Sequence, residues 1–309
     1  MAQEHVAIVG AGLIGAGWCA GFLARGYDVT AWDADPGFAP RLRRFVDSAW
    51  PALEKLGLQD GASPRRLRTL DTLSEALAGA TFVQESAPDR LEVKRALYAE
   101  IDLLLDPAIV VSSSSTALLM TDMQQGLPHA ARYVLGHPLN PPHIIPLVEV
   151  SGGRETAAWA LDRAIGFYRA AGKHPIRLNR EVQGHVAGRL GAAIYREAVH
   201  LAVSGVASVA DIDAALSEGL GLRFAVHGPH LSYHLGGGEG GLRHYLEHLG
   251  PAQERRWADL GAPRLTPDVV ETLVDGVEEE AAGRGVSELE RQRDAALTDI
   301  LAARRRSPR

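Results

Sequence analysis

Gly10, Gly12 and Gly15 stand in the run VAIVGAGLIGAGW, where a β-branched strand pattern hands over to a helical one. This spacing lets a chain turn sharply after a strand, expose bare backbone in the turn, and pack the next helix close on the strand. Such a unit opens a βαβ fold and commits the succeeding strands to a parallel sheet. The next stretches agree. HVAIV, YDVTAW, ATFVQ, AIVVSS, RYVLG, PLVEV and HPIRL carry strand patterns. WCAGFLARG, PRLRRFVDSAWPALEKL, RLEVKRALYAEIDLLL and TAAWALDRAIGFYRAAG carry helical periodicity. The alternation predicts an α/β domain of Rossmann type over residues 1–181, its sheet covered on both faces.

From Val182 the pattern changes. VQGHVAGRLGAAIYREAVHLAV, SVADIDAAL, GGLRHYLEHL, TPDVVETLVDGVEEEAA and SELERQRDAALTDILAA are all helical, so residues 182–309 are expected to form an all-α C-terminal domain. Ser208 with Asp211, and Ser287 with Glu290, read as helix caps, and the tail RRRSPR as a frayed end. The stretch Val182 to Val203 is apolar on more than one face, through Val186, Leu190, Ile194 and Val199. A helix that wide needs cover on several sides, which predicts a homodimer built through this domain.

Composition closes off other classes. With 309 residues, 46% of them hydrophobic and 23% charged, the chain affords one large or two unequal globular cores. A net charge of −6 gives no reason to expect nucleic acid. No apolar run has membrane-spanning length, and MAQEHVAIVGAG lacks the basic flank of a signal peptide. The one cysteine, Cys19, excludes an intrachain disulfide and a cysteine metal cluster. A reducing compartment, the cytoplasm, fits.

The glycine turn is also a binding device. Gly10 allows the tight turn, Gly12 lets a pyrophosphate approach the backbone, and Gly15 lets helix and strand pack. Leu13 and Ile14, between them, open the helix whose free N–H groups and dipole favour the phosphates. The second strand ends in Asp33, eighteen residues past Gly15, where a carboxylate accepts both ribose hydroxyls of NAD. The next basic residue is Arg41, so no cation stands ready for a 2′-phosphate. NAD is expected over NADP, and no metal site is.

Ligands of open α/β sheets sit beyond the carboxyl ends of the strands, and here those ends are polar. QESAPD brings Glu85 and Asp89, SSSST brings Ser112 to Thr116, and GHPLNPPHIIPLVEV brings His137 and Asn140. A hydride enzyme acting on an alcohol must remove the hydroxyl proton as the hydride leaves, and imidazole titrates where that exchange is easiest. His137 sits at a strand end. Pro138 holds the chain extended, and Pro141 and Pro142 stiffen the turn around Asn140. Glu149, twelve residues after His137, re-enters a strand within reach of the same edge. A carboxylate bonded to one imidazole nitrogen fixes the tautomer and stabilises the imidazolium that forms. His143 has no such partner in sequence and reads as a turn residue.

These stretches together resemble the 3-hydroxyacyl-CoA dehydrogenases and their shorter relatives that act on free 3-hydroxy acids. The likeness runs from VAIVGAGLIGAGW through VQESAPDRLEVK, VVSSSSTALLM and GHPLNPPHIIPLVEV to ALSEGLGLRFAVHGP. It implies His137 and Glu149 as a catalytic dyad, Asn140 as a hydrogen-bond partner of substrate or nicotinamide, and Asp89 and Lys94 near the cofactor. It also implies a hydroxyl at Thr116, where the family usually has serine, with Ser115 beside it at the substrate. One departure is larger: the family commonly has an asparagine before Arg-Leu at the opening of the helical domain, and GHVAGRL has Gly188 there.

Three features favour the free-acid branch. The segment after Asp33, where the CoA-binding branch has a lysine-rich helical hairpin, is short and carries only Lys55. LGLRFAVHGP has Arg223 at a place where the free-acid branch has an arginine and the CoA branch none. The stretches GGGEGGLRHYLEHLGP and GRGVSELERQRDAAL resemble carnitine 3-dehydrogenases, and SEGLGLRFAVHGP looks equally like gulonate 3-dehydrogenases and lambda-crystallins. The resemblance thus implies NAD-dependent oxidation of the 3-hydroxyl of a small free acid, carnitine- or gulonate-like, with Arg223 on its carboxylate. The alternatives are a short-chain 3-hydroxyacyl-CoA dehydrogenase and a non-catalytic NAD(H)-binding structural protein. A lysine-base dehydrogenase is disfavoured, because neither Lys94 nor Lys173 lies in a glycine-rich helix start.

Overall fold

The computed structural model describes residues 4–306. Its strands are β1 His5–Val9, β2 Asp28–Trp32, β3 Leu67–Thr69, β4 Phe82–Glu85, β5 Val111–Ser113, β6 Tyr133–Pro138, β7 Leu147–Gly152 and β8 His174–Arg177. They form one sheet in the order β3-β2-β1-β4-β5-β6-β7-β8. The chain builds outward from β1 in one direction and then in the other from β4, so the topological switch lies between β1 and β4. The α/β domain of Rossmann type that the sequence predicts is therefore present. Two details differ. The three-residue β3 is too short to show an alternating pattern, and it joins the edge beside β2. The strands β6 and β7 pair antiparallel, because only residues 139–146 separate them and a parallel crossover needs a dozen or more.

The helices of this part are α1 Leu13–Leu23, α2 Phe38–Leu56, α3 Leu73–Leu77, α4 Leu91–Leu104, α5 Met120–Met123 and α6 Ala158–Ala170. Strand side chains alternate between faces, and β1 shows it: Val6 and Ile8 enter one apolar cluster, Ala7 and Val9 the other. The first cluster holds Trp18, Phe22, Phe82 and Phe167, with the last two rings 3.8 Å apart. The second holds Tyr98, Ile101, Tyr133 and Leu135. Each fully buried ring or branched chain contributes about 1.5–3 kcal/mol by leaving water, and covering both faces explains why β1 is apolar without a break from Val6 to Val9.

The helical part comprises α7 Ala187–Val203, α8 Val209–Ala214, α9 Gly221–Val226, α10 Pro229–Gly236, α11 Gly241–Asp259, α12 Pro267–Ala281 and α13 Val286–Arg306. No strand follows β8 among the described residues. Ser208 caps α8, its hydroxyl accepting from the Asp211 N–H. Ser287 does not cap α13, which already begins at Val286. The expectation of a frayed tail falls partly on residues 307–309, outside the described residues, while Arg304 to Arg306 are helical.

Two compact units emerge: residues up to Arg189 together with Asp294–Arg305, and Leu190–Arg293. In the first, the returning part of α13 is tied to the end of α2 by Lys55 and Asp299, 2.6 Å apart, and by Arg305 donating to the Leu56 carbonyl. In the second, Val199 is the one fully covered large apolar side chain among the described residues. Leu190, Leu231, Leu235 and Trp257 each expose more than half of their surface.

Candidate active site

The glycine turn leaves β1 as the sequence spacing requires. Gly10 has φ +91, and a Cβ there would lie 2.6 Å from the Ala87 nitrogen. A Cβ at Gly15 would strike the Gly10 carbonyl. Gly12 is different: it is exposed, and a Cβ would meet nothing. That open backbone is the cradle a phosphate needs. No side chain caps α1, so its first N–H groups face the cradle unclaimed, with Leu13 exposed and Ile14 packed inward. Asp33 stands across the turn, one oxygen accepting from the Ala11 N–H at 2.7 Å and the other from the Asp35 N–H at 2.9 Å. Both bonds aim the carboxylate along the turn, which fits a ribose. Arg41 is occupied by Asp35. The residues present fit NAD.

The polar strand ends mostly satisfy one another. Glu85, the last residue of β4, is fully buried and accepts from Lys94 Nζ, Tyr98 Oη, Ser113 Oγ and the Ala87 N–H, all at 2.6–2.7 Å. Lys94, expected beside the cofactor, is buried and held by Glu85 and the Ala87 carbonyl. Asp89 accepts from Ser115 Oγ at 2.5 Å and from the backbone N–H groups of Thr116 and Ala117. It thus shapes the loop after β5, burying Ser115 and leaving Thr116 exposed.

His137 and Glu149 are opposite residues of the antiparallel β6–β7 pair, so their side chains share one face. His137 Nδ1 lies 3.0 Å from Glu149 Oε2. Glu149 is fully buried and His137 nearly so. The other carboxylate oxygen accepts from the N–H groups of Val186 and Ala187, at 2.8 and 2.9 Å, where α7 begins. Burial alone would push the Glu149 carboxyl up, but the His137 ring and these two N–H groups outweigh it and hold the carboxyl below its usual range. An ionised Glu149 accepts a hydrogen bond from Nδ1–H, which leaves a lone pair on Nε2 of His137. That nitrogen can accept a proton. Asn140 is exposed in the turn that follows β6.

The turn itself is clamped by Lys173, which precedes β8. Its ammonium donates to the Pro142 and Ile145 carbonyls and lies 5.4 Å from the Trp18 ring. Burial, with a smaller push from Arg25, brings it down to about 7.

Sequence reasoning missed His185. It lies between β8 and α7 with its ring centre 4.8 Å from that of His137, and donates through Nε2 to the Ser115 carbonyl at 3.1 Å. Its signal in sequence is slight: a histidine directly after a glycine at a helix start. Three residues on, a Cβ at Gly188 would meet open space, so crowding does not impose the glycine there.

Arg223 lies on α9 in the second unit. It is exposed, with its guanidinium 5.7 Å from the Phe224 ring, and forms no ion pair among the described residues.

Comparisons with known proteins bear on the family and the fold. Residues 5–182 match the NAD binding domain of 3-hydroxyacyl-CoA dehydrogenase, and residues 184–282 match the C-terminal domain. The chain is 52% identical over 306 residues to an L-carnitine dehydrogenase of Streptomyces griseus, covering 99% of this chain and 91% of that one. With an L-carnitine dehydrogenase of Streptomyces coelicolor it shares 50% over 300 residues, 97% of this chain and 94% of that one. Among solved structures it is similar to 5-formyl-3-hydroxy-2-methylpyridine 4-carboxylic acid 5-dehydrogenase, an NAD+ dependent dismutase. That match has a TM-score of 0.83 at 29% identity, covering 98% of this chain and 99% of that one.

Proposed function

The chain belongs to the 3-hydroxyacyl-CoA dehydrogenase family and is an NAD-dependent dehydrogenase of a 3-hydroxy acid, and on that premise we propose that the acid is L-carnitine and that His137 is the base. The observation that carries the substrate is identity of 43–52% over nearly the whole chain with L-carnitine dehydrogenases. His137 Nε2 accepts the proton of the 3-hydroxyl. The imidazolium so formed keeps its Nδ1 proton and donates it in a hydrogen bond to Glu149, whose charge stabilises it. Bound NAD supplies the hydride acceptor, held by Gly10, Gly12, Leu13, Ile14, Gly15 and Asp33. Asn140 and Thr116 orient the reacting carbon, Ser115 and Asp89 shape the loop beneath it, and Lys94 keeps that strand end rigid through Glu85. Arg223 binds the carboxylate, for which a planar guanidinium is the fitting partner.

The reading includes a homodimer in the cytoplasm, the NAD-binding domain at 1–181 and the substrate and dimer domain at 182–309. Of the apolar residues noted between Val182 and Val203, Val199 is covered, whereas Val186, Leu190 and Ile194 remain 44, 54 and 42% exposed, and a second copy would cover them. Cys19 is buried and unpaired, and no helix of the described residues is long and apolar enough to cross a membrane.

The test is NADH formation from L-carnitine, D-carnitine, L-gulonate and 3-hydroxybutyryl-CoA. L-Carnitine should have the highest kcat/KM. A higher value for the gulonate or the thioester would assign a different substrate. Sedimentation at micromolar concentration tests the dimer, which a monomer would exclude.

A further inference from the structure

Gly184 and His185 are consecutive residues in the left-handed region, with φ of +75 and +51. Glycine adopts that conformation freely, and for a histidine it is uncommon. The turn alone would be met as well by a second glycine or an asparagine. The histidine side chain is therefore what distinguishes this position, and its surroundings say why.

The ring is 2% exposed, and its plane is tilted 45° to that of His137. Its Nε2 faces the Ser115 carbonyl, which can only accept, so the proton resides on Nε2 and Nδ1 carries a lone pair. That Nδ1 is buried and has no hydrogen-bond partner among the described residues. A proton placed there would be a buried N–H without an acceptor, beside a base that becomes cationic in the reaction. Both circumstances oppose it. The charged or titratable groups acting on His185 are His137, Glu149 and Asp89. Burial is the largest influence and pushes the imidazole below its ordinary range; His137 adds to it, while the Ser115 carbonyl, Glu149 and Asp89 act the other way without reversing it. The next two residues give their N–H groups to Glu149. One turn of chain thus touches both members of the pair, His137 through a ring and Glu149 through amides.

We propose that His185 is a positioning residue for His137: its ring, anchored on Ser115, fixes the plane in which the base works and leaves His137 the one imidazole of the two that takes the substrate proton. The proposal rests on the reading of His137 as the base. A misplaced base loses rate rather than affinity, because cofactor and substrate are held by other groups.

The test compares His185→Phe, which keeps a ring and loses the anchor, with His185→Gln, whose terminal amide N–H can replace Nε2–H. The Phe variant should lose about ten- to a hundredfold in kcat, with KM for L-carnitine and the calorimetric Kd for NAD within about twofold. The Gln variant should recover most of the loss, and both should keep the shape that kcat/KM against pH has in the unsubstituted protein. Nitrogen NMR of the histidines in the unsubstituted protein should show His185 Nδ1 unprotonated from about pH 6 to 9. Wild-type kcat in the Phe variant would overturn the proposal. So would a Gln variant no faster than the Phe variant, a changed shape of that profile, or a His185 that titrates. If the Phe variant does not fold, the Gln variant and the NMR titration decide. His137→Ala, run alongside, separates the two readings: turnover surviving there removes the base assignment, whereas its loss beside unimpaired His185 variants removes only this proposal.

Discussion

Replacing Glu149 by glutamine isolates the charge of the pair while keeping its shape. One carboxylate oxygen accepts from the N–H groups of Val186 and Ala187, and the other faces His137 Nδ1. The amide oxygen of a glutamine must stay with the two N–H groups, since turning the NH2 toward them would set donors against donors. The NH2 then faces Nδ1, which has to become an acceptor. The imidazole proton moves to Nε2, the atom that must be free to receive the substrate proton. Two losses add. A charge-assisted bond to the imidazolium is worth about 1.5–3 kcal/mol, and breaking the new neutral bond to recover the reactive tautomer costs about 0.5–1.5 kcal/mol. The sum, about 2–4.5 kcal/mol, is roughly a 30- to 2000-fold fall in kcat. No unpaired charge is left behind, so the thermal midpoint should move by only a few degrees. Steady-state NADH absorbance with L-carnitine and a melting curve measure both quantities. A variant keeping more than about a third of wild-type kcat would show that Glu149 does not set the tautomer of His137.

Asp33→Ala should weaken NAD and narrow the gap to NADP, since the carboxylate accepts ribose hydroxyls and repels a 2′-phosphate; an unsubstituted enzyme that prefers NADP would contradict this. Arg223→Met should raise KM for the acid by about ten- to two-hundredfold, the range of a charge-assisted bond, and should leave a neutral ester of the substrate little affected. Equal losses for acid and ester would mean that Arg223 does not meet the carboxylate. Lys173 gives a pH signature: its ammonium, at about 7 in the folded chain against 10.5 normally, binds fewer protons folded than unfolded between those values. The contribution of Lys173 to stability therefore rises with pH across that window. Melting temperatures of the wild type should gain on those of Lys173→Met from pH 7 to 10, and a constant difference would mean an ordinary lysine.

The features legible in sequence are those whose partners are close along the chain. Gly10, Gly12, Gly15 and Asp33 belong to one βαβ unit, and His137 and Glu149 are separated by one turn. Asp33 could be placed because a strand ends there, and Glu149 because a strand resumes. What stayed hidden depends on sheet order. His185 meets His137 and Ser115 only because β5, β6 and β7 lie side by side, and nothing in GHVAGRL announces that. The polar run SSSST reads as a site, yet Ser112, Ser113 and Ser114 mainly bond Tyr168, Glu85, Gln84, Trp18 and Ser86. Periodicity marks these residues as polar at a strand end, but only the fold tells a buried network from a binding surface. Lys173, weighed only as a possible base, turns out to clamp the turn between β6 and β7.

The departure from a parallel sheet is what makes the pair possible. Had β7 run parallel to β6, the strand carrying Glu149 would have needed a crossover of a dozen or more residues, and a short turn could not have tied it to His137. The short reversal instead fixes His137 opposite Glu149, and in a pleated sheet a slip of one residue would turn the carboxylate to the other face. Register then depends on the turn. Lys173 ties two of its carbonyls, Pro142 packs where Gly17 leaves space for it, and the amides of Val186 and Ala187 hold the carboxylate from its other side. A base on a loop would be re-aimed by each thermal motion of that loop. A base on a strand, opposite its partner and backed by a second ring, needs no reordering when substrate arrives, which is the condition under which a weak base such as imidazole is most effective.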